Sequence, residues 1–68
     1  MAISARNQLA GRIEELIVGD VMAHVVVRVA ENLIESVITR TSAEELKLKV
    51  GDSVKVVVKS TEVMIQKD

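Results

Sequence analysis

Hydrogen-bond donors cluster at three places in this 68-residue chain. The first is the run "SARNQL", where Ser4, Arg6 and Asn7 bring a hydroxyl, a guanidinium and a carboxamide together. The second is "KST" near the other end, which carries Lys59 and Ser60. A guanidinium offers a planar fork of donors, and strand ends can form anion-binding concavities. We interpret both clusters as candidate oxyanion sites, with a frayed polar terminus and a solvated strand end as the simpler alternatives.

The third cluster is "ITRTS", which contains Thr39 and Ser42. Glu45 follows Ser42 by three residues, and this spacing is a capping-box signature that predicts a helix start at Ser42. The free N–H groups of a helix start also attract anions. Capping alone can explain Ser42, whereas Thr39 lies before the predicted cap and needs a separate explanation.

Catalysis and direct metal ligation are disfavoured by the residue types available. The chain has no cysteine and one histidine, so no classical zinc site can be assembled, and that histidine has no obvious serine or cysteine partner for a nucleophile–base pair. That histidine, His24, is typical of a packing or interface residue, with a ligand role as the less favoured alternative. We therefore predict that the protein is not an enzyme.

Hydrophobic alternation and turn signals predict an all-β chain with one short helix. The double glutamate Glu14-Glu15 interrupts the alternation of the first strand and indicates a bulge. Gly19-Asp20 predicts a type II′ hairpin turn, and Glu31-Asn32 predicts a second tight turn. The order of the elements is that of an OB-like small β-barrel. The predicted strands span residues 8–18, 21–30, 33–39, 53–59 and 63–66, and the predicted helix spans residues 43–47.

Composition favours an oligomer and opposes several partner classes. The chain is 49% hydrophobic and has no aromatic residue and a net charge of −1. Nucleic-acid binders are usually basic and use aromatic platforms, so nucleic acid is an unfavoured partner. No apolar run approaches the roughly 20 residues of a membrane span, and no signal peptide is visible, so we expect a cytoplasmic protein. A small core with apolar residues on the second strand faces predicts partner chains; these residues are Met22, Val26, Val37 and Val57.

Three segments resemble the molbindins, which are small molybdate- and tungstate-binding proteins built from a single Mop domain. The segments are "ISARNQLAG", "VITRTSAEEL" and "VGDSVKVVVKSTEVMI". The resemblance covers nearly the whole chain, residues 1–68, in the expected order. It departs at Lys47 and at Glu31-Asn32, where the family usually has glycine, and these departures concern loop shape.

The resemblance implies an OB-like barrel that forms a strand-exchanged dimer, with three dimers in a hexamer. It also implies molybdate or tungstate sites between subunits, in which the metal is bound as an oxyanion and not by direct protein ligands. Residue by residue, one chain would supply Ser4, Arg6, Lys59 and Ser60, and its partner Thr39 and Ser42; Asn7 also matches the motif and is included among the oxyanion-binding residues. The family has a second type of site near a threefold axis, to which we assign no residues beyond His24 as a candidate.

These observations predict intracellular storage or buffering of the oxyanion, because the segment that resembles the family leaves no room for a DNA-binding or ATPase domain. The alternative is an oligomerisation module that associates with a larger protein and binds no ligand. An OB-type nucleic-acid binder is a distant third.

Overall fold

The computed structural model describes residues 4–68, so Ile3 of the first family-like segment lies outside the described residues. The elements follow the order β1 (Asn7–Val18), β2 (Met22–Val29), β3 (Asn32–Thr39), α1 (Arg40–Glu45), β4 (Ser53–Val58) and a 3-10 turn (Ser60–Glu62). The domain is thus mostly β with one short helix. Within residues 4–68, no helix is long and apolar enough to cross a membrane.

All four strands form one antiparallel sheet in the order β3-β2-β1-β4. The long strand β1 joins its two halves, because residues 7–12 pair with β4 and residues 12–18 pair with β2. The register shifts between Ile13 and Glu15, so Glu14 is the extra residue of a β-bulge. The bulge predicted at Glu14-Glu15 is therefore confirmed.

The sheet curls around a small apolar core. Ile13, Val25 and Val27 are buried at its centre, and side chains from both edge strands pack against them, including Ile38 of β3 and Val54 of β4. Gly11 permits the curl, because a Cβ there would lie 2.7 Å from the Arg28 carbonyl oxygen and 2.7 Å from a Val27 methyl. The curl is barrel-like, although the described residues contain no ladder between β3 and β4.

The fifth predicted strand, residues 63–66, is absent. This segment is irregular, and Met64 and Ile65 are 93% and 90% exposed. A strand needs a neighbour for its backbone hydrogen bonds, and within the described chain none pairs with this segment. The prediction was wrong for the isolated chain because alternation reports apolar side chains but not a pairing partner.

Two predicted turns also differ in detail. Gly19 does not have a positive φ, so it does not form the predicted type II′ turn. Its amide instead donates to the Met22 carbonyl at 2.8 Å across a longer loop. The second turn lies at Ala30 and Glu31, with Ala30 at φ 54°, because Val29 pairs directly with Asn32.

The helix begins and ends earlier than predicted. It starts at Arg40, and Thr39 is the N-cap in place of Ser42. It ends at Glu45 in a Schellman motif, in which the Leu48 amide donates to Ala43 and the Lys47 amide donates to Glu44. Lys47 adopts φ 53° in this motif, which is the left-handed conformation that favours glycine.

Candidate oxyanion-binding site

Pairing between the first and last strands brings two of the three donor clusters together. Asn7 pairs with Val58, so the segment before β1 and the segment after β4 leave the same end of the sheet. Ser4 and Arg6 lie in the first segment, and Lys59 follows Val58 directly. The two predicted cationic donors, Arg6 and Lys59, are therefore neighbours in the fold although 53 positions separate them in the sequence.

All five donors at this end are exposed: Ser4, Arg6, Asn7, Lys59 and Ser60. Lys59 has extended backbone angles and occupies the N-cap position of the 3-10 turn that starts at Ser60, without a side-chain capping hydrogen bond. Amides in the first positions of such a turn have no acceptor within it, so they can supply further neutral donors. The local chemistry is thus two cations surrounded by neutral donors, and the nearby Glu62 is the acidic residue of the turn.

The third cluster forms a hydrogen-bonded pair. Thr39 Oγ1 accepts the Ser42 amide at 3.0 Å and donates to Ser42 Oγ at 2.9 Å. The Thr39 hydroxyl is consumed by capping in this arrangement, which explains its position directly before the helix. The Ser42 hydroxyl only accepts in this pair, so its own proton remains able to donate to a ligand.

The third cluster does not meet the first two within one chain. Thr39 pairs with Met22 and lies at the Val18 end of β1, whereas Asn7 begins β1. At about 3.3 Å per residue, β1 corresponds to about 36 Å of strand, and curvature shortens the direct separation only in part. The longest extent of the molecule is 37 Å. Hydrogen bonds require atoms about 3 Å apart, so one anion cannot contact both groups of the same chain.

The open depression beside Thr39 has mixed charge. It is lined by Asp20, Val21, Thr39, Arg40, Thr41 and Glu44. Arg40 Nε lies 2.6 Å from a Glu44 carboxylate oxygen, so this cation already has an acidic partner. The depression alone is therefore a poor anion site.

His24 lies two residues along β2 from Met22, the pairing partner of Thr39, and its side chain contacts an acidic residue of β3. Its Nε2 atom is 2.8 Å from a Glu35 oxygen across the β2–β3 pair, on the outer face of the sheet. Among residues 4–68, no cluster of three or more histidine and acidic side chains is placed to hold a metal ion.

A family model described as "TOBE domain" matches residues 3–65. The chain belongs to the TOBE-domain family. Similarity to individual members extends over the whole TOBE domain: the chain is 52% identical to the "Molybdenum-pterin-binding protein 2" of Clostridium pasteurianum, over 96% of this chain and 97% of that protein.

Solved structures agree with the fold of this TOBE domain. A molybdate-binding protein from Sporomusa ovata is 37% identical with a TM-score of 0.94, covering 98% of this chain and all of the other. A protein described as "the cytoplasmic molybdate-binding protein ModG", solved with molybdate bound, is 34% identical with a TM-score of 0.81, covering 88% of this chain and 43% of that chain. The resemblance to the molbindins is thereby confirmed.

Sequence reasoning assigned no role to two cations near the candidate site. Arg12 and Lys55 lie on β1 and β4, on the same face as the end that carries Arg6 and Lys59. Alternation along β1 already indicates that the even-numbered residues, including Arg12, face away from the core. That Lys55 shares this face with Arg12 is known only from the β1–β4 pairing.

Proposed function

We propose that this protein binds molybdate or tungstate in the cytoplasm and stores or buffers it at sites shared between subunits of a homo-oligomer. The observation that supports the proposal is the pairing of Asn7 with Val58, since Arg6 directly precedes Asn7 and Lys59 directly follows Val58 at the same end of the sheet. The names of the similar proteins support molybdate as the ligand class.

Donor chemistry favours a fully deprotonated oxyanion. Molybdate and tungstate are tetrahedral dianions that only accept hydrogen bonds near neutral pH. Arg6 and Lys59 would balance the two negative charges, and the hydroxyls of Ser4 and Ser60 would donate to the remaining oxygens. Protonated phosphate would require an acceptor that this set does not favour. Sulfate has the same charge, so rejection of sulfate must depend on the distances between donors.

The position of the third cluster supports a site made by two chains. Ser42 keeps a free donor, yet it lies at the far end of β1 from Arg6. In the proposed site, the Arg6 and Lys59 end of one chain faces the Thr39 and Ser42 end of a neighbour.

Exposed apolar surface supports the oligomer. On the outer face, Met22, Val37 and Val57 are 44%, 64% and 42% exposed, whereas Val26 is only 8% exposed and is buried within the chain. The exposed tail residues Met64 and Ile65 also lack a partner strand within the described chain. Strand exchange into a dimer and assembly of three dimers into a hexamer would complete the barrel and cover Met22, Val37 and the tail residues Met64 and Ile65, whereas Val57 lies on the β1–β4 side of the sheet and would stay open to solvent.

The ligand is proposed to be the oxyanion and not a pterin, although the name of one relative includes pterin. Flat ring systems are usually held by stacking on aromatic side chains, and this chain has none. Charged donors are instead available for a compact anion.

The alternative is an oligomerisation module that associates with a larger protein and binds no ligand. Calorimetry and native mass spectrometry distinguish it from the proposed oxyanion-binding protein. Molybdate and tungstate should bind with an oligomer-dependent stoichiometry, and phosphate should bind far more weakly. Equal binding of phosphate, or no bound molybdate in any oligomer, would contradict the proposed function.

A further inference from the structure

The outer face of the β1–β4 pair carries a row of cations that leads to the candidate site. Its residues alternate with the inward-facing ones: on β1 they are Gln8, Ala10 and Arg12, and Arg6 directly before β1 continues the alternation. Opposite them on β4, Gln8 faces Val57, Ala10 faces Lys55 and Arg12 faces Ser53. Lys59 continues the alternation beyond Val57. We call this surface, formed by residues 6, 8, 10, 12, 53, 55, 57 and 59, the basic ribbon.

The basic ribbon has four cations and no carboxylate, in a chain whose net charge is −1. All eight of its residues are exposed. Neither Arg12 nor Lys55 has an ion-pair partner among residues 4–68. The nearest acidic residue along β1, Glu14, is held by Arg28 through bonds of 2.6 and 3.1 Å, so its charge is largely compensated.

We propose that Arg12 and Lys55 steer the oxyanion toward the site formed by Arg6 and Lys59 and thereby accelerate its capture. This inference rests on the proposed function. Clustered charge of one sign raises the local concentration of an oppositely charged ligand and can increase its association rate by about 10- to 1,000-fold for a whole surface. Neither residue needs to touch the bound anion, because the ribbon acts on the approaching one.

The distance of each cation from Lys59 determines how strongly it should attract the approaching anion. Lys55 lies four residues before Lys59, or about 13 Å along β4, and Arg12 lies beside Ser53, about 20 Å from Lys59. The screening length is about 10 Å at 0.1 M salt and about 30 Å at 0.01 M. Lys55 should therefore contribute more than Arg12, and both contributions should fade as salt is added.

The experiment measures association and dissociation separately on the assembled protein. Protein loaded with molybdate is mixed with excess chelator to give the dissociation rate, and equilibrium dialysis with elemental analysis gives Kd. The dissociation rate constant divided by Kd gives the association rate constant. Lys55→Gln and Arg12→Gln are compared with Lys49→Gln, which removes the same charge from a loop outside the ribbon. Lys55→Arg keeps the charge and serves as the rescue variant.

At 0.01 M ionic strength, Lys55→Gln should slow association by about three- to tenfold and Arg12→Gln by about two- to fivefold, with dissociation changed less than about twofold. Lys55→Arg and Lys49→Gln should retain the wild-type rate, and the differences should disappear near 1 M salt. Circular dichroism and sedimentation check that each variant remains folded and assembled.

Unchanged association rates in folded Lys55→Gln and Arg12→Gln, or changes confined to dissociation, would overturn the steering role while leaving the proposed function intact. Failure of the wild-type protein to bind molybdate would instead contradict the proposed function itself. The two failures are therefore distinguishable in one data set.

Discussion

The hydroxyl of Thr39 donates to the hydroxyl of Ser42 at 2.9 Å while accepting the Ser42 amide at 3.0 Å. This pair divides two tasks between adjacent side chains. Thr39 caps the N-terminus of α1, and the Ser42 hydroxyl keeps a proton that it can donate to a ligand. The same cluster can thus serve the stability of the fold and, in the proposed site, anion binding.

Substitutions at these two residues should separate the tasks. Thr39→Val removes the cap and should lower the free energy of unfolding by about 1 kcal/mol. Ser42→Ala keeps the hydrogen bond from the backbone amide of residue 42 to Thr39 Oγ1. Compared with Thr39→Val, it should therefore lower the stability less and weaken molybdate binding more. Thermal melts and calorimetry on both variants measure the two effects, with Thr39→Ser as the control that retains a capping hydroxyl. Equal loss of stability in the two variants would contradict this division.

Removal of either cation should weaken binding strongly. A hydrogen bond that involves a charged group contributes about 1.5–3 kcal/mol, so Arg6→Ala and Lys59→Ala should each raise the Kd for molybdate by about tenfold or more. The oligomer should persist, because the exposed surface proposed to mediate assembly is apolar. Calorimetry and sedimentation test the two statements. Unchanged affinity in both variants would place the anion elsewhere.

Replacing either of two residues in the left-handed conformation with glycine should increase the stability of the fold. Ala30 and Lys47 adopt φ 54° and 53°, a conformation that costs a residue with a Cβ about 1–2 kcal/mol. Ala30→Gly and Lys47→Gly should therefore raise the free energy of unfolding by up to about 1 kcal/mol after the larger backbone entropy of glycine is included. Denaturant unfolding measures the change. Ala10→Gly, within β1, is the control and should be destabilising; a loss at residues 30 and 47 as large as at residue 10 would contradict the left-handed assignment.

The bulge ion pair should make stability depend on pH. The hydrogen bond from Arg28 is the main cause that holds the pKa of Glu14 below its ordinary value of 4.5. A carboxyl with a lowered folded-state pKa contributes stability above its unfolded pKa and loses it as the pH falls through the folded value. Glu14→Gln should therefore lower the melting temperature slightly at neutral pH, where the exposed pair contributes little. The difference from wild type should vanish once the pH lies below the lowered pKa; a difference that persists there would show that the pair is not its origin.

Four of the five predicted strands and the bulge could be predicted from the sequence because they depend on local alternation. Val25 and Val27 recur with period two, and the doubled glutamate at residues 14–15 breaks that period where the register shifts. The helix start was displaced because Thr39 and Ser42 are both capping residues, and only the end of β3 decides between them.

Which strands pair with one another could not be predicted from the sequence. Residues 63–66 alternate like a strand but have no partner within the described chain. The meeting of Arg6 with Lys59 depends on the long-range pairing of β1 with β4, which the family resemblance implied and no local pattern indicates. Which donors contact an anion stays a prediction.

Subunit complementation tests the shared site most directly. One variant, Arg6→Ala with Lys59→Ala, lacks the cations; the other, Ser42→Asp, places a carboxylate at the opposite end, where a helix start tolerates it. Each variant alone should bind little molybdate. The two variants are then unfolded together and refolded into mixed oligomers. A site is intact when both cations come from a Ser42→Asp chain and Ser42 comes from a partner chain that lacks the cations. Random mixing at a two-chain interface gives about a quarter of all sites this composition. Native mass spectrometry should then show molybdate bound only in mixed oligomers. Mixed oligomers that remain empty, although wild type binds under the same conditions, would contradict a site shared between chains.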